Sequence, residues 1–354
     1  MKYRSAVKVI GVAVPAAMVL LSAAPASACG GLVGENGTIQ LVRTTTLAAY
    51  TDGVERYVTA FEFAGEGESV GSIVPLPDVP TKVERAGDWT LQRLALEVAP
   101  PPPTAREDAL ATDAPADTVA ILLETTIDAL DITVLSGGGD AVGEWALANG
   151  FLLSPDAPEV LDFYAERSPV FMAAKFDANR AAELGQTTGD STPIMATIPT
   201  DDPWVPLRIL SLGLDGGRTV EADVFLLTDS QPELLAGGPG LTLARSEAAS
   251  SSLLNDLRSD VGMEWMPQSM WLSYLQLEAH ASDLDYDLAV SADRGGEPSI
   301  DDAGVGPASV VPVVLPDPGP ALWPVALGLG AGIVVMVGLA GARRNSTVTR
   351  RLSP

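Results

Sequence analysis

Three aspartates at alternate positions, Asp283, Asp285 and Asp287, place hard carboxylate oxygens at the spacing with which a calcium loop begins. The rest of such a loop is missing. Leu288 stands where the turn glycine belongs and Arg294 where the bidentate glutamate belongs. Leu284, Tyr286, Leu288 and Val290 alternate with the acids, so the spacing predicts a strand with an acidic outer face. Weak calcium binding by Asp283, Asp285 and Asp287 is the most that this run supports, and no other cofactor is expected. Zinc and iron sites draw on His and Cys, and the chain has one of each, His280 and Cys29.

Covalent catalysis finds little to work with. A Ser-His-Asp triad would have to use His280, yet no G-x-S-x-G elbow exists, and the run Gly189 to Pro193 resembles one only superficially. Glycoside hydrolysis needs two carboxylates and no His, and 46 acidic residues contain many pairs, none of which the sequence selects. Gly137-Gly138-Gly139-Asp140 precedes a helical pattern, where backbone N–H groups could hold a phosphate. Neither phosphate-loop spacing fits, and Asp140 would repel the anion, so this is a helix-capping turn with Asp140 as N-cap.

The elements that must carry these residues read as an α+β fold with largely antiparallel sheets and interleaved helices. A β-hairpin covers Thr38 to Phe63 around an Asp52-Gly53 turn, followed by a strand at Val70 to Pro75 and a helix at Asp88 to Val98. Strands are predicted at Thr118 to Thr126, Ala129 to Leu135, Val170 to Phe176, Ile194 to Ile198, Leu207 to Leu212 and Val220 to Leu227. Gly216-Gly217 is expected to be the hairpin turn before the last of these. Helices are predicted at Ala141 to Ala148 with Gly150 as the stop, at Pro158 to Arg167 and at Glu247 to Asp260. Met270, Trp271, Tyr274 and Leu275 fall at helical spacing after Pro267, which puts His280 at a helix end. The Met and Trp cluster from Met263 to Tyr274 is expected to fill core.

The two ends of the chain say where it works. Lys2, Arg4 and Lys8, an apolar run from Val9 to Ala24, and Ala26-Ser27-Ala28 make residues 1–28 an export signal removed on maturation. Cys29 follows the cleavage site, so lipidation and a free thiol are both open there. Residues 321–342 are uncharged and long enough to span a bilayer, with Trp323 at the outer interface and Arg343 and Arg344 at the inner one. The basic tail, residues 343–354, lacks any acid and is expected to stay in the cytoplasm. Between these ends lie an expected β-rich lobe at 29–99, a Pro/Ala-rich linker at 100–117, an α+β lobe at 118–294 and a Pro/Gly-rich stalk at 295–320.

Charge narrows the partners. The leader holds three basic residues and the tail four, leaving the outer portion 14 basic against 46 acidic residues, a net of −32. Such a surface repels nucleic acid and favours basic partners. The expected contacts are the bilayer through residues 321–342 and an envelope protein or cell-wall ligand.

Several segments resemble a bacterial family known as domain of unknown function 2330, with a composition like that of actinobacterial members. They are Ala28-Cys29-Gly30-Gly31, VGSIVPLPDVPTKVERAGDWTLQRL from Val70 to Leu94, DALDITVLSGGGDAVGEWALANGF from Asp128 to Phe151, FYAERSPVFMAAKFD from Phe163 to Asp177, PWVPLRILSLGL from Pro203 to Leu214, and ADVFLLTD from Ala222 to Asp229. The resemblance implies an exported, membrane-anchored protein and brings no activity or ligand with it. The leading expectation is a single-pass envelope protein with a non-enzymatic acidic ectodomain that binds a partner or ligand at the cell surface. The alternatives are a wall-glycan hydrolase with paired carboxylates and a calcium-stabilised adhesion module.

Overall fold

A computed structural model describes residues 31–34, 37–38, 44–62, 70–99, 122–137, 139–186, 191–236 and 238–291. The expected leader, Cys29, the whole linker, the stalk, the span with Trp323, and the tail with Arg343 and Arg344 lie outside the described residues. Among the described residues no helix is long and apolar enough to cross a membrane.

The first half of the fold is built from β1 (Gly31–Gly34), β2 (Gly37–Thr38), β3 (Thr44–Thr51), β4 (Val54–Glu62), β5 (Val70–Pro75), β6 (Lys82–Arg85) and helix α1 (Thr90–Val98). The middle holds β7 (Leu123–Ile127), β8 (Leu130–Ser136), α2 (Gly139–Ala148), α3 (Ala157–Ala165), β9 (Val170–Phe176), α4 (Ala178–Leu184) and β10 (Ser191–Pro199). The last stretch contains β11 (Trp204–Val205), a 3-10 turn (Arg208–Ser211), β12 (Thr219–Thr228), β13 (Glu233–Ala236), β14 (Leu241–Ala248), α5 (Ser251–Ser259), β15 (Trp271–His280) and β16 (Leu288–Ser291).

These strands form three sheets, in the orders β2-β1-β5-β9-β8-β7, β14-β15-β12-β3-β4-β10-β6 and β11-β16-β13. Every pairing is antiparallel except β12 with β3. The α+β class with mainly antiparallel sheets therefore holds. The expected division into two lobes around residues 100–117 does not. Strands β3 and β4 join β12 and β10, while β5 joins β9, so segments on both sides of the linker share the two large sheets.

Alternation explains the layering. On one face of the seven-stranded sheet, Tyr57, Ile194, Ala196, Val224 and Leu275 pack into a large core with Ile73, Ile132, Val134 and Phe171. Their neighbours Leu47, Ala49, Val58, Met195, Phe225 and Leu272 face the other way, against Leu91 and Leu94 of α1 and Leu253, Leu254 and Leu257 of α5. Met263, Met266 and Met270 fill this second core, as their composition suggests.

Local chemistry sets several boundaries. Asp52 and Gly53 both adopt positive φ, +53° and +72°, the requirement of a two-residue hairpin turn that matches strand twist. Ser250 caps α5 by accepting from the Leu253 N–H at 3.1 Å, so Glu247 and Ala248, expected in the helix, belong to β14 instead. Gly150, at φ +84°, ends α2, and the Phe151 N–H closes back onto the Ala146 carbonyl at 2.8 Å. Asp140 lies inside the first turn of α2 rather than at its cap.

Three expectations are corrected. Leu207 to Leu212 is not a strand but a 3-10 turn, because side-chain oxygens take the N–H groups of Leu207, Arg208 and Ile209 that a ladder would need. Gly216-Gly217 consequently is no hairpin turn; the Gly216 carbonyl instead accepts from Ser282, and β12 pairs with β15 and β3. The Met270 to Leu275 segment is strand rather than helix, so His280 ends β15.

Candidate functional site

The acidic run reaches its place by an unexpected route. Asp283 and Asp285 are exposed, but Asp287 is fully buried, since Leu288 to Val290 is covered on both faces in the three-stranded sheet. The three carboxylates therefore do not converge as a calcium loop. Among the described residues no group of three His, Cys, Asp or Glu side chains is arranged to hold a metal ion. His280 is exposed at the strand end.

Asp287 is taken up by the protein itself. Its Oδ1 accepts from the Tyr164 hydroxyl at 2.9 Å and from the backbone N–H groups of Leu207 at 2.6 Å and Arg208 at 3.0 Å, while Oδ2 accepts from Arg167. The Tyr164 hydroxyl in turn accepts from the Ile209 N–H at 2.8 Å. Burial, and then the neighbouring Asp287 carboxylate, holds the Tyr164 phenol well above its ordinary pKa, so it remains a donor. Arg167 also lies over the Trp204 ring, 4.3 Å from its centroid, and Tyr164 stacks on the same indole at 5.8 Å. This constellation is closed on itself, with its donors and acceptors turned inward.

A second buried acid is not satisfied. Glu55 of β4 is fully buried between Tyr50 and Ile198 in the ladder, and neither of its carboxyl oxygens has a hydrogen-bond partner. Burial pushes its pKa up to about 8; the Trp204 backbone N–H works the other way but approaches without hydrogen-bond geometry. Near neutral pH the side chain is mostly a neutral acid.

An open site lies on the opposite side of the seven-stranded sheet. At the C-terminal end of α1, among the described residues, a groove of about 430 Å³ runs between Val98 and its cap Ala99 and strands β12, β15 and β14. Its floor is the pair Phe225 and Tyr274, directly opposite each other in the ladder and stacked at 4.9 Å with 16° between planes. The Tyr274 hydroxyl donates to Asp223 Oδ1 at 2.6 Å, fixing a carboxylate at the groove wall. Arg245 forms the rim and donates to the Glu97 carbonyl at 2.9 Å. A β-bulge between Leu243 and Arg245 brings Arg245 opposite Tyr274. The groove is thus lined by an aromatic pair, a carboxylate held by Tyr274, a guanidinium and the amide of Gln276, a mixed apolar and polar set.

None of this was visible as a motif. Asp223, Arg245 and Tyr274 come from three strands brought together by the sheet, and the sequence treats Tyr274 only as core filling. The alternation from Val220 to Leu227 does assign Asp223 and Phe225 to one face, a faint signal of the site.

An interleaved three-sheet α+β body with a cleft between a short helix and a sheet edge is the class that the fold defines. The model of a family described as an uncharacterised protein conserved in bacteria, DUF2330, matches residues 23–231, and the chain belongs to that family. No curated protein matches the chain. Among solved structures, baculovirus P35 is similar over 71% of this chain and 96% of its own, at 9% identity and a TM-score of 0.39. A mutated baculovirus P35 after caspase cleavage aligns over 70% of this chain and 93% of its own, at 9% identity and a TM-score of 0.31.

Proposed function

We propose that the chain is an exported cell-envelope protein, held by one transmembrane helix at residues 321–342, whose acidic ectodomain binds a partner or ligand at the cell surface. The observation that carries the binding reading is the groove over Tyr274. It is lined by the stacked Phe225 and Tyr274 rings and by a half-buried carboxylate that Tyr274 orients, whereas the Asp287 constellation closes its polar groups inward. Support for the location comes from the leader pattern, the uncharged span and the basic tail. The charge of the outer portion favours a partner that is not itself strongly acidic.

The test is site-specific photocrosslinking of the full-length chain in intact bacterial cells, with a photoreactive residue at Gln276 in the groove or at exposed Leu147 on the other side of the molecule. The reading expects an adduct from Gln276 that is absent from Leu147 and lost on Tyr274→Ala. Identical adducts from both positions, or none from Gln276, would overturn it.

A further inference from the structure

Glu55 is buried against a segment that is fastened at both ends. It is the second residue of β4, just past the Asp52-Gly53 turn, with Tyr50 of β3 and Ile198 of β10 as its ladder neighbours. The three side chains therefore share one face of the seven-stranded sheet. The chain crosses that face as soon as β10 ends. The Thr200 N–H donates to the Gly53 carbonyl at 3.1 Å and the Tyr50 hydroxyl donates to the Thr200 carbonyl at 3.0 Å, fixing the near end of this strap to the hairpin. Its far end is held by β16, where the Val290 N–H donates to the Pro203 carbonyl at 3.1 Å and Trp204 pairs with Ala289. The Glu55 carboxyl lies between the two fastenings, with the Trp204 backbone N–H beside it but out of hydrogen-bond geometry.

The surroundings hold no counterion for this acid. On its own face stand Tyr50 and, two positions along β4, Tyr57. The strap carries Asp201 and Asp202, both exposed. Arg167 lies over the Trp204 ring but is paired with Asp287, and Arg56 of β4 turns to the opposite face, over Trp265. None of these groups forms an ion pair or a hydrogen bond with Glu55. A carboxylate without donors in an apolar interior is costly, and water supplies the donors it needs. The strands beside Glu55 are bonded along their length, whereas the strap is held to the hairpin through Thr200.

We propose that this strap is a pH-operated latch: it lies closed over Glu55 while the side chain is a neutral acid, and it lifts from the β3–β4 hairpin when Glu55 ionises, turning about the Trp204–Val205 pairing with β16. The latch is independent of the groove over Tyr274. Opening hydrates the carboxyl and returns its pKa from about 8 toward 4.5, so the opening equilibrium gains about tenfold for each pH unit between those limits.

Hydrogen–deuterium exchange of the full-length chain in nanodiscs, at about pH 5.5 and about pH 7.5 and corrected for the intrinsic rate at each, tests this. Peptides covering residues 200–205 should lose protection about a hundredfold over that interval. At the higher pH they should also exchange about tenfold or more faster than β9, which is bonded on both sides in the six-stranded sheet. The loss should vanish in Glu55→Gln and in Glu55→Met, neither of which can ionise there; the comparison with β9 in the parent chain needs no variant. A loss of the same size in the variants, or no loss in the parent chain, would overturn the proposal. So would exchange of the strap and β9 at one common rate, which would make global unfolding the event that hydrates Glu55.

Discussion

The Tyr164 hydroxyl donates to Asp287 at 2.9 Å across 123 positions of sequence, joining α3 to the segment that enters β16. The same carboxylate takes the N–H groups of Leu207 and Arg208 and the Arg167 guanidinium, so one buried side chain organises the 3-10 turn, α3 and the three-stranded sheet. Removing it takes from the mostly buried Arg167 guanidinium its ion-pair partner and from the Leu207 and Arg208 N–H groups their acceptor. Asp287→Ala should cost about 3–5 kcal/mol, the range for breaking a buried charge pair from one side. Tyr164→Phe should cost less, about 1–3 kcal/mol, because it strands chiefly the Ile209 N–H. Urea unfolding at constant m-value gives both numbers, and the double variant should fall short of their sum.

Glu55 gives the fold a distinctive pH dependence. In the unfolded chain its carboxyl releases its proton near pH 4.5, whereas in the fold burial holds the proton until about pH 8. Between those limits the folded state binds more protons than the unfolded state, so stability attributable to this group is full below pH 4.5, falls as pH rises, and levels off above pH 8. The loss is on the order of 5 kcal/mol. Glu55→Gln should remove this component: urea midpoints at pH 5 and pH 8.5 should lie closer together in the variant than in the parent chain. An unchanged difference would mean that Glu55 finds a partner on ionisation.

Gly87 and Asp260 are coupled by contact. The Asp260 carboxylate accepts from the Asp88 and Trp89 N–H groups at 3.2 and 3.0 Å and from the Thr90 hydroxyl at 2.8 Å, joining the end of α5 to the start of α1. A Cβ on Gly87 would fall 2.2 Å from Asp260 Oδ2. Gly87→Ala should therefore destabilise by about 1–3 kcal/mol through overpacking. Its cost should shrink in an Asp260→Gly background, where the clashing carboxylate is gone. Thermal or urea unfolding of the four chains in this cycle measures the coupling, and strict additivity would reject the contact as the cause.

What the sequence disclosed was local, and what it hid was long-range. Asp52-Gly53 announces its hairpin because two positive-φ residues suffice to reverse the chain. Strand β15 is misread because Leu272, Ser273, Tyr274 and Leu275 are all buried, which erases the alternation of a half-covered strand and leaves Trp271, Tyr274 and Leu275 at helical spacing. Asp287 looks like the third rung of an acidic ladder, yet its partner Arg167 lies 120 positions earlier, beyond any pattern in the run itself. Strand β6 and helix α4 are too short, at four and seven residues, to show a period. The groove is legible only once the register places Asp223, Tyr274 and Arg245 side by side.

The proposed topology makes a prediction about both ends of the chain, and the sequence supplies the probe. Cys29 is the single cysteine, placed after the leader, and Ser346 lies in the basic tail beyond Arg343 and Arg344. With Cys29→Ser and Ser346→Cys combined, a membrane-impermeant maleimide should fail to label intact cells and should label them after permeabilisation, because four arginines hold the tail on the cytoplasmic side. In the parent chain the same reagent should reach Cys29 from outside if its thiol is free, whereas acylation would block labelling and add lipid mass to the mature N-terminus. Replacing Arg343 and Arg344 by Glu should weaken the orientation and raise labelling of the tail in intact cells. Labelling of the tail in intact cells without that replacement would place the C-terminus outside and invert the arrangement on which a surface-facing groove depends.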